Sequence, residues 1–205
     1  MKFLYIFILL FSANIINANN QDKTYVFNCN KELNFVANIG GGEAWLFMPQ
    51  KTLNYKAQDS KKCDKFVDGD DFIGIKGQVA FVKIGEQTYH CTNNPKEAVF
   101  ESAKLRGFDF MALGNEPGWT LLIKGNEIFY NGDYGSNYHR FKNAIMMTNQ
   151  EKRFSIFKAK KDSHAITLKL EGKKCNDTMN DDTFETTVSI ELDSKTLNGC
   201  GKSLH

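Results

Sequence analysis

The first half of the chain is a series of short apolar-rich runs separated by turn residues, one of which, Leu33 to Ile39, mostly alternates apolar and polar residues as a half-buried strand does. Tyr25 to Cys29 reads as the first strand and Leu33 to Ile39 as the next. Gly40-Gly41-Gly42 breaks the second run, Ala44 to Met48 follows, and Pro49 closes it. After the short run Thr52 to Tyr55, a polar stretch from Asp59 to Asp71 reads as a long charged loop. Strand character resumes at Phe72 to Ile75, turns at Gly77, and runs through Val79 to Ile84. Gly85-Glu86 then turns the chain into Gln87 to Cys91. Short strands punctuated by turn residues predict an antiparallel barrel or sandwich.

The pattern changes over residues 92–104, where Asn93-Asn94-Pro95 is a break and Lys96 to Lys104 fits a short helix. Strand patterns then return: Trp119 to Ile123, Glu127 to Tyr130, Phe141 to Met147, Arg153 to Ala159, Ala165 to Leu170 and Thr186 to Leu192. The fold class expected is therefore all-β, with two small antiparallel β-barrel or β-sandwich domains. Residues 19–94 form the first, 95–107 a linker or short helix, and 108–205 a C-terminal β-rich domain.

The N-terminus bears on the compartment. Met1-Lys2 precedes an apolar run of about 14 residues, Phe3 to Ile16, which suits a signal peptide and is short for a membrane span. Cleavage near Ala18 is expected, an uncleaved anchor being the alternative. No cysteine lies near that point, so a lipoprotein anchor is not expected, and no later run approaches transmembrane length. The formal charge of +2 gives no global field toward nucleic acid or anionic membranes.

An exported chain is expected to pair its cysteines. Of the five, Cys29–Cys91 and Cys175–Cys200 are the expected bridges, each within one half, with Cys63 left over. By loop-closure entropy the bridges would contribute about 4 and about 3.5 kcal/mol. Cys63 is then a free thiol, or a partner for an intermolecular bond or a metal. No Cys-x-x-Cys pair suggests zinc. Asp68-Gly69-Asp70-Asp71 lacks the alternating ligands of a calcium loop. His90, His139, His164 and His205 are scattered, and no Gly-x-Ser-x-Gly elbow is present. The chain is read as a non-enzyme without metal or cofactor.

Several residues of the first half resemble the periplasmic and membrane-bound inhibitors of c-type lysozyme. They are the Tyr25 to Cys29 strand, the closing Tyr89-His90-Cys91, Ser60 with basic residues after it, and Lys76-Gly77-Gln78-Val79-Ala80. The resemblance spans roughly residues 24–92. It implies an eight-stranded antiparallel barrel closed by a disulfide, and a soluble periplasmic protein. It also implies that a serine and a lysine enter the lysozyme cleft and meet its catalytic carboxylates. Carried onto this sequence these are Ser60 and Lys76, with Phe72 and Ile75 as apolar anchors beside them. A lysine ammonium is attracted to an ionised carboxylate, and a serine hydroxyl pairs with either protonation state.

The second half carries Gly114-Asn115-Glu116-Pro117-Gly118-Trp119, then Cys175-Asn176-Asp177-Thr178-Met179, then Gly199-Cys200-Gly201. These resemble Gly-Asn-Glu-Pro-x-Trp, Cys-x-Asp-x-Met and Gly-Cys-Gly signatures of Gram-negative exported proteins and lipoproteins, a resemblance that implies no activity. The alternative reading is thus an envelope-associated structural or ligand-binding protein whose C-terminal domain carries the function.

Overall fold

The computed structural model describes residues 22–177 and 182–205, so the expected signal peptide, residues 1–18, lies outside the described residues. The chain is all-β, with two domains joined through one short helix. Eight strands build the first: β1 (Lys23–Cys29), β2 (Asn34–Gly40), β3 (Glu43–Phe47), β4 (Thr52–Gln58), β5 (Asp64–Asp68), β6 (Asp71–Lys76), β7 (Val79–Ile84) and β8 (Gln87–Asn93). Each pairs antiparallel with the next, and β8 returns to β1, so the barrel is closed and leaves no edge.

Period-two alternation decides which residues fill it. Phe35 and Ala37 of β2, Ala44 and Leu46 of β3, Ile73 and Ile75 of β6, and Ala80 and Val82 of β7 all point inward. Each large apolar side chain buried this way contributes about 1.5–3 kcal/mol. Cys29 and Cys91 are direct partners between β1 and β8, where their disulfide closes the barrel.

One element differs from the sequence reading. The polar stretch 59–71 is not all loop: Asp64–Asp68 is β5, paired with β4 and β6. Its inward residue is Phe66, 6 % exposed, and the aspartates at either end hide that single buried position from a hydrophobicity pattern.

The helix α1 (Pro95–Leu105) starts where the pattern broke. Asn94 caps it, accepting from the Glu97 amide, and Pro95 sits in the first turn where no amide partner is needed. The Asn94 amide donates to the Val26 carbonyl of the barrel at 2.7 Å. Phe100 and Ala103 pack with Phe108, Met111 and Phe184 of the second domain. The helix is thereby fixed to both domains.

The second domain contains β9 (Phe110–Asn115), β10 (Gly118–Lys124), β11 (Glu127–Gly132), β12 (Asn137–Phe141), β13 (Ile145–Asn149), β14 (Phe154–Lys161), β15 (His164–Glu171), β16 (Cys175–Asp177), β17 (Asp182–Phe184), β18 (Thr186–Leu192) and β19 (Lys195–Ser203). Nine of them form one sheet in the order β12-β11-β10-β9-β19-β18-β15-β14-β13, while β16 and β17 pair separately. The last strand, β19, lies in the middle of the sheet between β9 and β18. The sheet curls so far that His139 of β12 meets His164 of β15 with ring centroids 4.4 Å apart. The expected continuous strand Phe141 to Met147 is broken: β12 ends at Phe141, Asn143 takes φ +54°, and β13 begins at Ile145. A second disulfide joins Cys175 to Cys200.

Candidate functional site at one end of the barrel

In a barrel of consecutive antiparallel strands, connections alternate between the two ends. The β2–β3, β4–β5 and β6–β7 connections therefore share one end. Gly41 and Gly42, at φ +57° and +80°, make the first of these a tight turn. The second connection holds Ser60, and the third follows Lys76 directly. Local chemistry shapes the Ser60 loop: its Oγ accepts from the Lys62 amide at 3.3 Å and lies 3.8 Å from Cys63 Sγ.

Cys63 is the free thiol expected from the sequence. Its sulfur lies over Gly74 of β6, where an added Cβ would sit 3.2 Å from it. Gly74 and Lys76 point outward, because the residues between and before them, Ile75 and Ile73, point inward. Cys63 thus packs between Ser60 and Gly74, and Lys76 follows two residues on from Gly74 on the same outward face. Ser60 and Lys76 are both exposed.

The two apolar anchors are placed differently from each other. Phe72 shares the outward face with Lys76, and the Lys65 ammonium lies 5.3 Å from its ring centroid. Ile75 is 3 % exposed and part of the barrel core, so it is not the exposed apolar anchor that the sequence reading expected beside Lys76. The alternation gave the signal: with Lys76 outward, Ile75 must point in. Val79 and Phe81 of β7, which the sequence reading left out, are 51 % and 48 % exposed on the same outer face.

Inside the barrel lies Tyr55, 1 % exposed, whose hydroxyl has no hydrogen-bond partner among the described residues. Burial, with Asp71 and Asp68 adding to it, pushes its phenol up to about 12. Tyr55 stays neutral and takes no part in surface charge.

A second site forms in the C-terminal domain, where all three signatures converge. Asn115 and Glu116, Asn176 and Asp177, and Asn198 and Gly199 line one polar pocket floored by the Cys175–Cys200 disulfide. The Asn115 side-chain amide donates to the Asp177 carboxylate, which is 5 % exposed. The glycines here are steric: a Cβ on Gly114 or Gly199 would overlap Trp119 and neighbouring backbone carbonyls. Trp119 is 3 % exposed and anchors this end of the core.

The histidines are less scattered than their sequence positions suggest. His164 Nδ1 lies 2.8 Å from Asp193 Oδ2, and His139 faces His164. Desolvation chiefly, then the charge of His164, holds His139 below the ordinary imidazole range. Among the described residues, no group of three or more His, Cys, Asp or Glu is arranged to hold a metal ion.

The chain matches no protein-family profile, no curated protein and no solved structure.

Proposed function

We propose that the barrel domain inhibits c-type lysozyme by placing Ser60 and Lys76 in the enzyme's cleft, and that the chain does so after export, in the periplasm. One observation carries this reading: Ser60 and Lys76 lie at the same end of a closed barrel, with Cys63 Sγ packed between the Ser60 loop and Gly74 of the strand that ends at Lys76. A lysozyme cleft offers one ionised and one protonated carboxyl group. The Lys76 ammonium would pair with the ionised group and the Ser60 hydroxyl with either. Strands on both sides of each residue hold them in place, so little chain entropy is lost on binding. No catalytic step, metal or cofactor enters the mechanism.

The test is lysozyme activity on bacterial cell walls in the presence of the exported chain. Dose-dependent inhibition, weakened at least about tenfold by Lys76→Ala, is expected, since losing a buried charge pair costs ~2 kcal/mol or more. Full lysozyme activity at every dose of the folded protein would refute the reading.

The convergence of three signatures on one pocket favours a second role in the C-terminal domain, as an envelope-associated ligand-binding or structural module. Its polar lining suits a hydroxyl-rich or amide-rich ligand, and calorimetry with cell-wall saccharides would test it.

A further inference from the structure

The outer face of β5, β6 and β7 carries a groove that begins at Lys76. In register across it stand Lys65, Gly74 and Phe81. Gly74 has no side chain, which opens the floor between its neighbours. Phe72, Val79 and Phe81 supply apolar surface to the groove. Lys61, Lys62, Lys65 and Lys76 surround it, and no carboxylate lines it. Among the described residues, none of the four lysines makes an ion pair.

Four ammonium groups without an ion-pair partner around one groove repel one another within a Debye length. Exposed aromatic and aliphatic surface beside them adds the cost of apolar hydration. A surface that relieves both has carboxylates arranged around an apolar centre. A small free anion would answer the lysines alone and leave Val79 and Phe81 wet. The occupant that fits is therefore a protein surface with acidic residues flanking apolar ones.

We infer that this groove seats an acidic wall of the target's cleft, so that the inhibitor selects lysozymes bearing carboxylates there beyond the two that do the chemistry. The inference rests on the proposed function and adds Lys61, Lys62 and Lys65 to the contact set as specificity determinants, with Val79 and Phe81 as the apolar contacts. Charge complementarity of this kind acts mainly on the encounter rate and on partner choice.

The experiment measures association rates and inhibition for the exported full-length product against c-type lysozymes, at low and raised salt. The variants are Lys61→Glu/Lys62→Glu and Lys76→Ala, with folding checked by circular dichroism. The double reversal is expected to slow association about tenfold or more and to abolish its salt dependence. Inhibition that is lost in Lys76→Ala but unchanged, in rate and salt dependence, by the double reversal would overturn the groove inference and leave the proposed function standing. Inhibition of no c-type lysozyme by the folded parent would overturn both. If the double variant fails to fold, Phe81→Ser supplies the same comparison through the apolar contact, with unchanged inhibition counting against the groove.

Discussion

Cys63 Sγ lies 3.8 Å from Ser60 Oγ and lids the bare backbone of Gly74. The thiol thus packs between the Ser60 loop and β6, the strand that ends at Lys76. Gly74→Val would drive side-chain carbons into the sulfur and push the Ser60 loop outward. Inhibition in the cell-wall assay is expected to weaken about tenfold, at a stability cost of about 1–2 kcal/mol. Adding Cys63→Ala to Gly74→Val makes room again and is expected to restore most of the loss, a coupling that a double-mutant cycle reads directly.

Tyr55 carries a hydroxyl into the barrel without a partner. Removing an unpaired buried polar group while keeping the ring eliminates its desolvation cost. Tyr55→Phe is expected to raise stability by about 1 kcal/mol in urea denaturation, leaving inhibition unchanged. A loss of stability would show that the hydroxyl is hydrogen-bonded in solution.

The Gly199 site in the second domain has the opposite sensitivity. A methyl group there meets the Leu113 carbonyl and the Trp119 ring, and a backbone carbonyl in a central strand cannot step aside. Gly199→Ala is expected to destabilise the chain by about 2–3 kcal/mol, measured as a lower denaturation midpoint. A change below a few tenths would mean that the β9–β19 contact is looser than described.

The His139–His164 contact predicts a pH dependence. His139 has its folded pKa held below the ordinary 6.5, so on acidification the unfolded chain takes up its proton first. Stability is therefore expected to fall as pH drops through the imidazole range, from about 7 to about 5. The groups facing His139 are His164, Asp193 and Lys161. Asp193, whose pKa is held below 3.8 by the bond from His164 and the Ala165 amide, contributes stability that is lost only lower, in the carboxylate range. Melting temperature against pH checks this, and His139→Gln is expected to flatten the upper part of the curve while sparing the lower.

Much of the fold was legible because strands announce themselves locally. Leu33 to Ile39 mostly alternates apolar and polar residues, Val79 to Ile84 is a short apolar run, and glycine turns marked their ends. The disulfides followed from pairing cysteines within each half. The strand at Asp64–Asp68 escaped because it buries one residue, Phe66, between aspartates. The break at Asn143 escaped because a positive φ at asparagine leaves no mark in hydrophobicity.

The sequence by itself determined the strand periodicity, the all-β class, the cysteine pairing and the residue types available for the site. Only the tertiary structure decided that Ser60 and Lys76 share an end, that Ile75 is core while Val79 and Phe81 face solvent, and that distant signatures meet at one pocket. The reason is physical. Alternation is a property of neighbouring residues, whereas barrel closure and sheet curl depend on pairings between strands far apart in the chain, which no local run encodes.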